Sequence, residues 1–312
     1  MRAAVFLTLA TLFWAGNFVV GQAAMKTMEP LQLTFWRWAL AAVPLLVLAQ
    51  LAEKPDWRAV LRHWPALLLL SCLGMSAYTL LLYSALGHTS ALNASLVTAA
   101  NPALIMVLAV VLLRDRPRPL GWAGIVLGLC GVLLVLTGGE LERLLTFSID
   151  AGELLIVAAI TVWGFYTITA RRLSVPPITS TAVQVAMAAV VLVPFAVATG
   201  AGLPATAPEG WSLAYIVLFP SLGSYLLWNL ALKRTTAANA GNYLNLIAVF
   251  TAVITVALGQ PVTVPQVLGG LLVISGVLLT SAGGKAPQRP RSSKSTSSPP
   301  SPSSSPAEFR PR

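Results

Sequence analysis

Ten apolar blocks, each close to the length of a bilayer crossing, divide this chain: residues 4–24, 31–52, 65–86, 90–113, 119–137, 152–171, 179–199, 211–232, 236–258 and 265–283. A helix rising 1.5 Å per residue needs roughly 20 apolar residues to cross the hydrocarbon core. Inside that core every backbone N–H and C=O must find a partner within the chain, so only helices and closed barrels can span it. Barrel strands are about ten residues long and alternate in polarity. These blocks are continuous, and the chain reads as an all-α polytopic membrane protein with ten transmembrane helices. Charged residues make up only 10% of it, against roughly 25% in an average soluble domain. The first block has the outline of a signal peptide, with Arg2 as its basic end. Trp14, Gly16 and Asn17 interrupt the apolar core such a signal requires, and nine blocks follow, so it is read as the first span.

The net charge of +10 would suit a nucleic-acid partner if the cations were clustered. They alternate instead. With the N-terminus inside, the outside loops hold only Lys26 and Arg143, and Arg37 lies within the second span. Every other lysine and arginine falls in an inside segment or at the C-terminal end. Such a bias sets orientation in membranes, so both termini are expected in the cytoplasm. Beyond Gly284 the sequence turns basic and rich in Ser and Pro, with almost nothing apolar to bury. A disordered cytoplasmic tail is expected over 285–312.

The chain repeats itself. TSALNA at 89–94 returns as TTAANA at 235–240, an offset of 146, and GVLL at 131–134 returns at 276–279, an offset of 145. WAGNF at 14–18 has a counterpart in WGFY at 163–166. Five helices followed by five similar ones is an inverted repeat, because an odd number of crossings sends the second copy in from the opposite side. The expected units are residues 1–138, a periplasmic linker 139–151, and residues 152–284. Inverted repeats place a binding site near the midplane where the halves meet.

Polar and aromatic residues inside the spans are candidates for that site. They are Trp14 and Asn17 on the first helix, Tyr78 on the third, Asn93 and Asn101 on the fourth, and Trp163 and Tyr166 on the sixth. Ser224, Tyr225 and Trp228 lie on the eighth, and Asn239, Asn242 and Asn245 on the ninth. Amides can bond the amino and carboxylate groups of a small solute while aromatic walls shield the rest. The competing role is equally physical, since Asn, Ser and Thr also join membrane helices, at roughly 0.6 kcal/mol per bond. Arg37 sits six residues past Leu31, roughly 9 Å into the membrane. A charge at the bilayer centre costs roughly 2.5–3.5 kcal/mol on insertion scales. Its expected role is either a substrate carboxylate contact or a structural bond. Pro102 should kink the fourth helix. Gly121, Gly124, Gly128 and Gly131 read as close helix packing, and Cys72 and Cys130 as small buried residues.

All ten acidic residues and both histidines fall in loops, in the tail or at helix ends. A buried carboxylate relay has no residues to build it. No metal ligand set, nucleotide-binding loop or cofactor motif is present in the sequence. A membrane-embedded enzyme would need titratable groups gathered at one depth, so no enzymatic activity is expected.

These pieces together resemble the EamA family of the drug/metabolite transporter superfamily. The resemblance covers residues 4 to about 283 and rests on the order and spacing of WAGNF, Arg37, ASLVTAANPALIMVLAVVLLRDR at 94–116, WGFY, NYLNLIAVF at 242–250 and the two GVLL helices. The chain departs from the family pattern where Asp115 and Gln260 stand in place of glutamates, and where Ala248 stands in place of a proline. The resemblance implies a bacterial inner-membrane exporter of small metabolites, with neutral or aromatic amino acids first, working by alternating access through a central cavity. A multidrug or lipid-carrier permease of the same superfamily is the alternative. A small-molecule solute and the lipid bilayer are the expected partners, nucleic acid is not, and a homodimer is left open.

Overall fold

The computed structural model describes residues 2–113, 119–140, 142, 150–170, 173–232, 234 and 243–282. The expectations for Asn239, Asn242, the tail and most of the 139–151 linker lie outside these residues. The regular structure of the described residues is helical throughout. It runs α1 (Arg2–Ala24), α2 (Pro30–Ala52), α3 (Trp57–Leu61), α4 (Trp64–Leu70), α5 (Tyr78–Leu86), α6 (Ala91–Ala99), α7 (Asn101–Leu113) and α8 (Pro119–Thr137). It continues with α9 (Ala151–Ala170), α10 (Pro177–Thr199), α11 (Ala207–Ile216), α12 (Ser224–Leu232), α13 (Leu246–Ala257) and α14 (Val264–Ala282). A π-helical segment, Ser71–Ala77, joins α4 to α5, and another, Val217–Gly223, joins α11 to α12.

Against the ten expected spans, seven among the described residues are each long and apolar enough to cross a membrane: α1, α2, Trp64–Leu86, α8, α9, α10 and Ala207–Ala231. An eighth is α6 with α7, which meet at Ala100 with a bend of 42°. Pro102 lies two residues beyond that break and has no N–H to carry the helix ladder across it. The last two apolar blocks hold α13 and α14. Large apolar side chains turned outward, such as Val43, Leu51, Val190 and Val197, form the lipid-facing surface. Cys130 is on that surface rather than buried, because α8 turns its small residues toward α14 and its larger face away.

Helix ends explain the boundaries. Pro30 and Pro177 open α2 and α10 at positions where a missing N–H costs nothing. Ser90 caps α6 through the Asn93 amide, and Thr206 with Glu209 forms a capping box on α11. Gly200 ends α10 at φ 66°, a left-handed conformation that favours glycine.

Two antiparallel helix pairs hold the bundle together. Along the first, Glu53 after α2 accepts from the Ile178 and Thr179 amides at 3.0 and 2.7 Å, capping the start of α10. At the other end Gln32 donates to Gly202 O at 3.0 Å, just past the end of α10. The second pair is α8 with α14. A Cβ added to Gly131 would lie 2.6 Å from Gly269 O, and one added to Gly276 would lie 2.5 Å from Gly128 N. Lipid offers no hydrophobic drive between helices, so this backbone approach is what van der Waals packing requires.

The two π segments fit the same frame. In each, the following amide reaches five residues back, Tyr78 N to Leu73 O and Ser224 N to Phe219 O. Widened helical turns leave carbonyls to be satisfied from elsewhere. The Trp38 indole donates to Met75 O at 2.8 Å, and the Trp14 indole donates to Pro220 O at 3.2 Å.

Candidate functional site

The centre of the described bundle is organised by Arg37, which is only 6% exposed. Position eight of α2 carries it inward, opposite the second π segment. Its Nε donates to Ser221 Oγ at 2.8 Å, and its Nη1 donates to Tyr83 Oη at 2.7 Å and Asn17 Oδ1 at 3.3 Å. Tyr83 Oη in turn donates to Asn17 Oδ1 at 2.9 Å, and the guanidinium lies 4.3 Å from the centre of the Trp38 ring. All of these partners are neutral. They orient the cation and relieve its desolvation, yet leave its charge uncompensated. Ser221 Oγ donates to Ile216 O at 2.8 Å, so its lone pairs face the arginine. The expected choice between structural bond and carboxylate contact therefore acquires geometry: Arg37 is bonded into the fold on Nε and Nη1, and Nη2 takes no part in these bonds.

Two aromatic clusters flank it, each built across two helices distant in sequence. Trp14 on α1 meets Tyr225 and Trp228 on α12, with ring centroids 6.0 and 5.4 Å apart. Trp163 on α9 meets Tyr78 on α5 and Tyr166 on its own helix, both at 4.8 Å. A Cβ at Gly74 would lie 2.5 Å from the Tyr166 ring, so the first π segment is kept bare where that ring lies. Asn17 lies about one turn from Trp14 on α1, and Tyr83 shares α5 with Tyr78, so the Arg37 network connects to the helices of both clusters. The two clusters and the cation thus border one region.

The other residues singled out from sequence divide. Asn17 is in the arginine network. Ser224 is fully buried and donates to Ala10 O at 3.0 Å, which ties α12 to α1. Asn93 accepts from Gln266 Nε2 at 2.7 Å and so joins α6 to α14. Asn101 Oδ1 and Asn245 Nδ2 are buried without a hydrogen-bond partner. An unmet buried amide costs about 1–3 kcal/mol, and a polar solute could offset that cost.

Sequence reasoning passed over Trp38, gave Tyr83 little weight and did not consider Gln184. Gln184 is 1% exposed, its Nε2 donates to Ser180 Oγ at 2.7 Å, and its Oε1 has no hydrogen-bond partner. The signal was present in the sequence: Gln184 is the eighth residue of α10, as Arg37 is the eighth of α2. Among the described residues, no group of three or more His, Cys, Asp or Glu side chains could hold a metal ion.

Comparison with known proteins follows the same outline. The family model described as EamA-like transporter family matches residues 1–137 and 150–282. The uncharacterized transporter YyaM of Bacillus subtilis is 30% identical over 276 residues, covering 87% of this chain and 90% of its own. An uncharacterized transporter of Archaeoglobus fulgidus is 31% identical over 286 residues, covering 89% and 96%. A probable terminal-alkyne amino-acid exporter of Streptantibioticus cattleyicolor is 29% identical over 286 residues, covering 89% and 93%. A solved crystal structure superposes with a TM-score of 0.63 at 21% identity, covering 90% of this chain and 96% of that one, a likeness of fold.

Proposed function

This chain belongs to the EamA-like transporter family, and from that premise we propose that it exports small metabolites, neutral or aromatic amino acids first, across a bacterial inner membrane. The observation that carries this reading is the pairing of a buried guanidinium with two aromatic clusters at the centre of the bundle. A cation, amides and hydroxyls suit the polar head of an amino acid, and the indole and phenol rings suit its side chain. The name of the Streptantibioticus relative, a probable amino-acid exporter, points the same way.

Ten spans form two five-helix repeats, 1–138 and 152–284, with the second inverted and both termini in the cytoplasm. Several observations support that arrangement. The π segments are each seven residues long and begin 146 residues apart. α1 packs on α12 as α9 packs on α5, and both α2–α10 and α8–α14 are antiparallel. The family model also matches in two stretches. The solute enters between the halves from the cytoplasm, and the halves rock to release it outside.

A drug or lipid-carrier permease is the second reading. A carboxylate at the centre would favour cationic drugs, but the charge found there is an arginine. Transporter names among the relatives weigh against an enzyme. The test is uptake of labelled phenylalanine and leucine by the purified protein in proteoliposomes. Saturable uptake weakened in Trp163→Ala supports the reading; unaltered uptake in a well-inserted Trp163→Ala contradicts the site.

A further inference from the structure

We infer that the transported solute carries a carboxylate, and that Arg37 and Gln184 mark two stations for its polar head, one charged and one neutral. This rests on the amino-acid carrier reading and deepens it.

The argument begins with equivalent positions. α2 and α10 are both 23 residues long, both open on proline, and carry Arg37 and Gln184 at the same step. Each faces a π segment of the opposite half. Arg37 donates to Ser221 in the second, and the Gln184 backbone carbonyl accepts from Ser71 in the first at 2.7 Å. One half of the bundle therefore presents a fixed cation where the other presents an amide.

Both side chains are left with unused bonding capacity. Arg37 is more than nine-tenths buried, and its hydrogen-bond partners Ser221, Asn17 and Tyr83 are all neutral. Gln184 is more deeply buried still; its side chain is bonded to Ser180 and reaches Tyr166, while its Oε1 accepts no hydrogen bond. A guanidinium stays protonated and presents a planar fork suited to a carboxylate. An unmet amide oxygen is an acceptor suited to an ammonium or hydroxyl group. The two sites are not side by side. Glu53 meets Thr179 and Gln32 meets Gly202, so α2 and α10 run in opposite directions. At 1.5 Å per residue, this separates Arg37 from Gln184 by roughly 15 Å along the membrane normal. In the proposed topology Arg37 lies toward the outside and Gln184 toward the cytoplasm. The ring chain Tyr78–Trp163–Tyr166 runs from the helix that carries Tyr83, an Arg37 partner, to Gly74 in the π segment that meets Gln184 through Ser71. The solute passes from a neutral inner station, past aromatic walls, to a cation that holds its carboxylate before release.

The experiment compares acids with their uncharged amides in proteoliposomes: phenylalanine against phenylalaninamide, and phenylacetate against phenylacetamide. The expected result is a preference for each acid of at least about tenfold, the discrimination of one charge-assisted contact. Arg37→Gln should bring the ratio close to one, and Arg37→Lys should retain part of it. Equal uptake of acid and amide by the unaltered protein would overturn the inference while leaving an amino-acid carrier in place. So would an Arg37→Gln protein that inserts and keeps the preference. If no amino acid is carried but phenylacetate is, in an Arg37-dependent manner, the amino-acid reading fails and the carboxylate inference stands. If neither is carried, both fail. Should Arg37→Gln not insert, Gln184→Arg decides the matter. A cation at the inner station should lower the KM for the acid from the cytoplasmic side by about tenfold and slow turnover; an unchanged KM would overturn the inference.

Discussion

At the scale of the residue, the central network is a set of buried polar groups that answer one another. Tyr83 is fully buried, and its hydroxyl serves both Arg37 and Asn17. Replacing Tyr83 with Phe removes that hydroxyl and leaves a buried charge with one fewer partner. The expected cost is about 1.5–3 kcal/mol, read as a lower midpoint in thermal unfolding of the detergent-purified protein. Trp163→Ala should act differently. It opens a gap between Tyr78 and Tyr166 and weakens solute binding, raising KM roughly tenfold or more for the loss of about 1.5–3 kcal/mol of buried aromatic contact. Uptake titrations at matched protein density check it. Much of this was legible beforehand: Arg37, Asn17, Trp14 and Trp163 stand out as polar or aromatic groups in apolar spans. Asn93 was not separable, because its bond to Gln266 depends on a helix 173 residues away. Tyr83 carried little weight in the sequence, because its bond to Arg37 depends on how α2 and α5 pack together.

At the scale of the element, the spans follow from apolar length and from caps, but their irregularities do not. Pro102 announced a bend, and the helix breaks at Ala100. Nothing local in SCLGMSA announces a π segment. The stretch is explained only by what takes its carbonyls, as Trp38 does at Met75. The glycine pair α8–α14 was half legible: the glycines were plain, the partner was not. Gly276→Val would drive a side chain into the Gly128 backbone. Overpacking of this kind costs about 1–3 kcal/mol and should appear as reduced membrane yield and earlier thermal unfolding. Glu53→Ala removes the acceptor for two backbone amides and the Thr179 hydroxyl at the start of α10. A lost cap costs about 0.5–2 kcal/mol. Because this cap joins the two proposed halves, at the end that the proposed topology makes cytoplasmic, the variant should alter transport rate more than insertion, which uptake normalised to surface protein would show.

At the scale of the whole molecule, the proposed repeat would account for the pairwise geometry: each antiparallel pair, α2 with α10 and α8 with α14, would join equivalent helices of the two halves. Charge placement is the basis of the proposed orientation, and the family match gives the class of activity. The Ser/Pro-rich segment after Gly284 belongs to neither repeat, so truncation there should leave transport intact; a dead but correctly inserted truncation would show that the tail takes part. Substrate identity was the least legible property, because a polar side chain inside a span can either face a solute or join helices, as Asn93 does with Gln266.

The most direct test of the central claim is uptake of a panel of labelled amino acids into proteoliposomes, with and without a pH gradient. Saturable uptake of neutral or aromatic amino acids, indifferent to pH, is the predicted result, since among the described residues the buried carboxylates Glu153 and Glu209 lie in the first turns of their helices and the central charge is Arg37. Failure to carry any amino acid in a folded and correctly inserted preparation would contradict the account.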